Sequence, residues 1–343
     1  MVHAESSTDN VVLFPFVAAR RTASGPAVGQ FGRLAGGSPR MQDVYRRIAK
    51  VAPTMATVFI TGESGSGKEV VAATVHEMSN RASRPFLALN CGAIPGNLIE
   101  TELFGYEKGA FTGAESIHRG CFERAEGGTL FLDEIAEMAP EMQVRLLRVL
   151  ETGRYTRVGG EREYETSARV IAATNREPRQ AVRDGILRED LLYRLAVFPI
   201  VVPPLRERDG DAEMLADQFL RKLNESEGTQ KAFSRTALAV LRSHAWPGNV
   251  RELRNAVQRA FILCDEQVEF DFSSQEMREP AQPFLNIPVG TALADIEKQA
   301  ICATLDACDG DKRRCAGLLG VSLKTLYNRL AGYNAAPAAT AST

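Results

Sequence analysis

The chain has 343 residues, 44% apolar and 24% charged, a mix that fits a globular protein with room for two or three cores and excludes a fibrous or low-complexity one. A formal net charge of −2 gives the chain as a whole no affinity for nucleic acid or an anionic membrane, so any such contact has to be local. The six cysteines (91, 121, 264, 302, 308 and 315) lack a C-x-x-C pair or a histidine cluster, which argues against a zinc site or a disulfide frame. The apolar run 11–17 is too short to span a bilayer and has no Lys or Arg before it to suggest a signal peptide. A cytoplasmic protein is expected.

Residues 1–33 are small and polar with little periodicity and read as a disordered tail. From there the chain turns regular. Met41, Val44, Ile48 and Val51 recur at helical spacing, and five short apolar runs follow, at 58–60, 86–89, 129–132, 170–173 and 197–202. Helical stretches separate them, among them Met142, Leu146, Leu147 and Leu150 on one face. Alternating strands and helices predict an α/β domain over 34–205, a parallel sheet in a three-layer, doubly wound arrangement. After Pro203-Pro204 only helical periodicity remains, a helical lid over 206–264. Residues 265–289, with Pro280, Pro283 and Pro288, read as a linker. A small all-α unit is expected over 290–334 and a disordered tail over 335–343.

Between the first strand and the helix after it lies Gly62-Glu63-Ser64-Gly65-Ser66-Gly67-Lys68-Glu69. Glycines without Cβ let successive N–H groups converge, the helix N-terminus adds partial positive charge, and Lys68 adds a full one. The pattern predicts a cradle for a nucleotide polyphosphate. The generic motif carries a Ser or Thr hydroxyl for Mg²⁺ after the lysine, where this chain has Glu69, so the metal needs another ligand. Asp133, at the end of the Leu130-Phe131-Leu132 strand, can supply it, and Glu134 beside it can polarise water. Asn90 and Asn175 end two further strands and should face the same edge, where open parallel sheets bind ligands. Arg188 and Arg194 lie six residues apart, off a common helical face, so at least one points away from its own site. Gly109-Ala110-Phe111-Thr112-Gly113-Ala114 suits neither helix nor core strand, which places Phe111 on a loop tip as a partner surface.

These segments, with Gly128 before the acidic strand and Trp246-Pro247-Gly248-Asn249-Val250-Arg251-Glu252-Leu253, together resemble the central AAA+ domain of bacterial enhancer-binding proteins, the sigma-54-dependent transcription activators. The resemblance runs from about Leu34 to Cys264. It implies an ATPase with Lys68 on phosphate, Mg²⁺ on Asp133, Glu134 as catalytic acid, Asn90 as its switch partner and Asn175 as a γ-phosphate sensor. It also implies Gly128 within the nucleotide-binding set, Arg188 and Arg194 as fingers into a neighbouring subunit, and Arg251 as a sensor from the lid. Gly109 to Ala114 would touch sigma-54, with the turn Arg157-Val158-Gly159-Gly160 nearby, and Glu69 becomes the family's usual residue.

At the C-terminus, helical spacing at Leu293, Ile296, Ala300, Ile301 and Leu305 is followed by Ala316, Leu318 and Leu319. The turn Gly320-Val321 comes next, with Ser322 as the N-cap of a last helix. Two short helices about a tight turn predict a helix-turn-helix. From 311 to 334 there are five Lys/Arg against one acid, a local charge of +4 in an acidic chain. Lys312, Arg313 and Arg314 suit DNA phosphates, and Ser322, Lys324, Thr325, Asn328 and Arg329 suit the major groove. The unit resembles the Fis-type helix-turn-helix, with Asp311 and Cys315 departing from its usual Asn and Ala.

The combined reading is an ATP-driven activator that binds enhancer double-stranded DNA as a dimer, assembles into a hexameric ring, and remodels the closed complex of sigma-54 RNA polymerase holoenzyme. Its control would come from expression level or a separate regulatory protein. Two alternatives are a DNA-binding regulator acting by occupancy without sigma-54, and an AAA+ unfoldase or loader with a DNA-targeting tail.

Overall fold

The computed structural model describes residues 11–13, 30–270, 290–308 and 310–334. The chain divides into two units, the first ending at Phe270. The expected tail over 335–343 and most of the expected linker lie outside the described residues.

The first unit is built on a six-stranded sheet in the order Val11–Leu13, Phe86–Asn90, Thr129–Asp133, Arg169–Thr174, Val58–Thr61, Phe198–Val201. The last five are mutually parallel and match the five expected runs. Their residues alternate faces even where the whole strand is buried. Leu87, Leu89, Leu130, Leu132, Val170 and Ala172 pack with Leu103, Phe104, Leu146 and Leu191. Phe131, Ile171, Ala173, Val58 and Ile60 pack on the other side with Val44, Ile48, Val71 and Val75. Two cores either side of one sheet give the three layers.

Two boundaries differ from the sequence reading. Val11–Leu13, assigned to the tail, is a sixth strand antiparallel to Phe86–Asn90, and Gln30–Phe31 pairs with Leu34–Ala35 while the Phe31 ring stacks on Tyr45 at 4.8 Å. The lid, with helices Asp211–Glu227, Arg235–Ser243 and Asn249–Leu263, runs past 264 into the expected linker. There Gln267–Val268 pairs with Ala232–Phe233 and buries Val268 completely. A two-residue strand carries too little pattern to register in sequence.

The second unit has helices Leu293–Ala307, Lys312–Leu318 and Leu323–Asn334 around Ile301, Cys308, Cys315, Ala316 and Leu326. Asp311 caps the middle helix through the N–H groups of Arg313 and Arg314 at 2.9 and 3.1 Å. Ser322 Oγ accepts the Thr325 N–H at 3.1 Å, as the expected cap should. Among the described residues, no helix is long and apolar enough to cross a membrane.

Candidate functional site

Because the central strands are parallel, their C-terminal ends meet along one edge. That edge gathers the glycine loop after Thr61, Asn90, the Asp133-Glu134 pair, and Asn175 after Thr174. The helix Lys68–Glu77 starts directly from the loop, with Gly67 left-handed at its N-cap (φ 104°). Nothing lies within 4 Å of where a Cβ on Gly67 would sit, and Ser66 Oγ is buried with no hydrogen-bond partner among the described residues. Open backbone and an orphaned hydroxyl fit a phosphate cradle. Lys68 is nearly buried, its Nζ donating to the Gly62 and Glu63 carbonyls at 2.9 and 3.2 Å. Burial pulls the Lys68 ammonium below its ordinary pKa, while the fields of Asp133 and Glu134 oppose that shift. Burial, reinforced by Asp133, raises the Glu69 carboxyl.

Glu134 is one of three non-glycine residues with positive φ among those described, at 53°, a conformation that persists where surrounding structure enforces it. Its Oε2 would lie 2.6 Å from a Cβ on Gly92, so the turn after Asn90 packs directly against the carboxylate. Asn90 Oδ1 accepts the N–H groups of Gly92 and Ala93 at 2.9 and 3.1 Å. The side chain expected to meet Glu134 therefore caps the turn beside it. A cavity of about 340 Å³ lined by Cys91, Gly92, Ile94, Glu134 and Met138, among others, lies next to the pair.

The lid completes the site by contacts no single segment displays. Arg251 Nη1 donates to Ser64 Oγ at 3.0 Å, and the Val250 N–H donates to the Gly65 carbonyl at 3.0 Å. Buried Asn249, also at positive φ (54°), donates through Nδ2 to Glu63 Oε2 and the Ser64 carbonyl at 3.1 and 3.0 Å. Arg206 clamps the same Glu63 carboxylate with two bonds of 2.8 and 2.6 Å. Arg206, then Asn249, hold its pKa down at about 2. Gly65 has φ 74° and abuts the Gly248 carbonyl so closely that a Cβ would collide with it. Asn249, Arg206 and Arg208, whose Nη2 donates to the Ser66 carbonyl at 2.6 Å, escaped the sequence reading. The one available signal was Asn249 inside the quoted Trp246–Leu253 stretch.

Gly128 is a correction. It precedes Thr129 at the N-terminal end of the acidic strand, opposite the nucleotide edge, and its lack of a Cβ admits the Pro85 carbonyl; it is therefore a packing glycine and not a cofactor contact. Both finger candidates are exposed. Arg188 precedes helix Glu189–Leu195 and pairs with Asp190 at 2.7 Å, while Arg194 donates to the Leu150 carbonyl at 3.0 and 2.6 Å. Arg188 is fixed at its backbone, where its N–H donates to buried Gln143 at 2.9 Å. Asn175 is exposed.

The Gly109–Ala114 segment closes on itself through Gly109 N–H to the Ala114 carbonyl at 2.8 Å. Phe111 stays 45% exposed while its ring meets Tyr106 edge-on at 4.9 Å. The second loop braces it: the Glu107 N–H donates to the Val158 carbonyl at 3.0 Å, and nearly buried Arg157 pairs with Glu107 and Glu123 at 2.9 and 2.7 Å.

In the second unit, Leu326 is buried and Leu323, Leu330 and Tyr333 pack on its core. Helical geometry then puts Lys324 and Asn328 on the opposite, outward face. The two hydroxyls of Ser322 and Thr325 face each other at 2.7 Å in the cap. Arg329 is exposed as well and pairs with Glu297 at 3.1 Å, a surface contact within the unit. Lys312, over the Tyr327 ring at 4.9 Å, lies in the same basic patch as Arg313 and Arg314.

Known proteins share this arrangement. Residues 34–201 match the Sigma-54 interaction domain family, 206–282 the AAA+ ATPase lid domain, and 292–333 the Fis family of bacterial regulatory proteins. The chain is 44% identical over 317 residues to the transcriptional regulatory protein FlbD of Caulobacter vibrioides, covering 86% of this chain and 69% of that one. It is 42% identical over 329 residues to the DNA-binding transcriptional regulator NtrC of Azospirillum brasilense, covering 87% of this chain and 68% of that one. The crystal structure of NtrX from Brucella abortus in complex with ATP superposes with a TM-score of 0.65 at 35% identity, covering 88% of this chain and 69% of that one.

Proposed function

This chain belongs to the sigma-54-dependent transcription activators, and on that premise we propose how its residues divide the work. It is an AAA+ ATPase that drives ATP-dependent activation of transcription by sigma-54 RNA polymerase, with a Fis-type unit for DNA. The observation that carries the division of labour is the single sheet edge that gathers the glycine loop, Asn90, Asp133, Glu134 and Asn175, with Arg251 reaching the loop from the lid.

The loop amides and Lys68 bind the β- and γ-phosphates of ATP, and on binding the ammonium exchanges its loop carbonyls for phosphate oxygens. Asp133 is the carboxylate that would hold Mg²⁺, which supplies charge neutralisation between those phosphates when bound. Glu134 orients the attacking water and takes its proton. Asn90 and Asn175 respond to the γ-phosphate, and Arg251 ties that response to the lid. Arg188 and Arg194, both exposed, extend to the ATP of a neighbouring subunit in a ring. The exposed Phe111 and Thr112, braced by the 157–160 turn, meet sigma-54 in the holoenzyme. Lys312, Arg313 and Arg314 hold enhancer phosphates while Lys324 and Asn328 enter the major groove. These reactions belong in the cytoplasm.

Open-complex formation at a sigma-54 promoter tests the scheme. Wild type should need hydrolysable ATP, and Thr112→Ala should keep its ATPase while forming no open complexes. Activation that survives without hydrolysis would favour action by occupancy, and activation that survives Thr112→Ala would remove the loop's role.

A further inference from the structure

The strand Val11–Leu13 lies outside every family match, the first of which begins at residue 34. Its register, Val11 with Leu89, Val12 with Ala88 and Leu13 with Leu87, covers what would otherwise be the bare edge of the sheet and stops one residue short of Asn90. On its other side the Phe86–Asn90 strand pairs with Thr129–Asp133, Asn90 opposite Asp133, and the Cys91 N–H donates to the Asp133 carbonyl at 2.9 Å. The turn that follows presses Gly92 against the Glu134 carboxylate. A shift of the strand end therefore moves the turn relative to Glu134, since only the missing Cβ of Gly92 lets the two lie this close.

We infer that Val11–Leu13 is a clasp whose backbone pairing fixes the Phe86–Asn90 strand and thereby positions Asn90 and its turn against Glu134. The inference rests on the reading of Asn90 and Glu134 as working partners. An edge strand held on one side only frays and exchanges its amides, whereas one paired on both sides is held at a single height in the sheet. The clasp acts on turnover and not on nucleotide affinity, because the glycine loop follows Val58–Thr61, a strand separated from Phe86–Asn90 by two others.

The test compares the full chain with a variant lacking residues 1–13 and with the double variant Val11→Pro/Val12→Pro. Successive N–H groups of a strand point to opposite sides, so the two prolines together remove at least one ladder donor. Hydrogen exchange over residues 86–90 should accelerate about tenfold or more, and kcat for ATP hydrolysis should fall about three- to tenfold, with nucleotide Kd within about twofold of wild type. Unchanged exchange in both variants would show that the strand does not clasp the edge, and faster exchange with unchanged kcat would reduce it to an edge cover; either overturns the inference. Asn90→Ala separates this from the underlying reading. A wild-type rate in that variant overturns the Asn90 assignment itself, whereas a lost rate there with an unchanged rate in the clasp variants overturns the clasp alone.

Discussion

Asn249 of the lid and Glu63 of the glycine loop, 186 residues apart, share a hydrogen bond of 3.1 Å, and the same Asn249 side chain accepts the Leu205 N–H at 2.7 Å. One buried carboxamide thus joins the loop, the segment entering the lid, and the lid's last long helix. Replacing it removes donors and acceptor together and leaves a buried N–H unpaired, which costs about 1–3 kcal/mol. Asn249→Ala should lower the stability of the first unit by that amount and loosen nucleotide binding. The chain's only tryptophan, Trp246, sits three residues away and fully buried, so its fluorescence through a urea titration reads the first effect. Unchanged midpoints would mean that the bond is not formed in solution.

A second expectation concerns pH. His76 is buried, with Nδ1 on Thr129 Oγ1 at 2.9 Å. Burial pushes its pKa down from 6.5 to about 4 against an opposing contact with the Arg84 backbone, and the fields of Arg169 and Arg33 add to burial. Between those two values the unfolded chain binds the proton that the folded chain refuses. Stability therefore rises with pH across that window and is lost as pH falls through it. The span from 6.5 to about 4 bounds the effect at about 3 kcal/mol. His76→Gln, which cannot titrate, should flatten the pH dependence of the unfolding midpoint between pH 4 and 6.5; an unchanged slope would assign it to other groups.

The glycine loop, the acidic pair and the capped C-terminal helices were legible because each is a local chemical pattern. Gly62 to Lys68 needs its glycines within one turn, and Ser322 caps its own helix. Features set by distant partners left no such mark. Val11–Leu13 is too short to show a period, and Gly128 resembles a ligand glycine until Pro85 is seen packed where its Cβ would be. The pairing of Arg329 with Glu297, on another helix, is equally invisible to local spacing. The Glu63 lock to Arg206 and Asn249 depends on how the lid folds back, which no local spacing encodes.

The two exposed arginines make the ring testable. In related phosphoryl transfer an arginine finger supplies about 10³- to 10⁵-fold in rate. Arg188 and Arg194 spend their guanidinium donors on Asp190 and the Leu150 carbonyl, surface contacts worth little. Arg188→Ala and Arg194→Ala should therefore fold normally and bind DNA as wild type does, yet lose ATP turnover. Doping either variant with Lys68→Ala subunits gives a sharper measurement, because a finger acting across an interface restores some turnover when a wild-type arginine faces an intact site. Normal ATPase in both single variants would remove them from the reaction.

Lys324 and Asn328 should divide DNA recognition by the kind of contact each can make. An ammonium is a point charge suited to phosphate or to guanine acceptors, whereas a carboxamide presents a donor and an acceptor that match the N6/N7 edge of adenine. Both lie on the helix face opposite buried Leu326. Asn328→Ala should cost about 1–3 kcal/mol on the enhancer and little on random DNA, collapsing discrimination at one base pair. Lys324→Ala, removing a charge that meets guanine acceptors in the groove, should relax discrimination at a second base pair and also reduce the slope of log K against log salt by about 1. Arg329→Ala tests the other charge on this helix: an unchanged salt slope means that its pair with Glu297 at 3.1 Å keeps it from DNA. Titrations of each variant on specific and scrambled duplexes at several salt concentrations give the three signatures, and a salt slope that falls for Arg329→Ala would place that residue on the DNA surface.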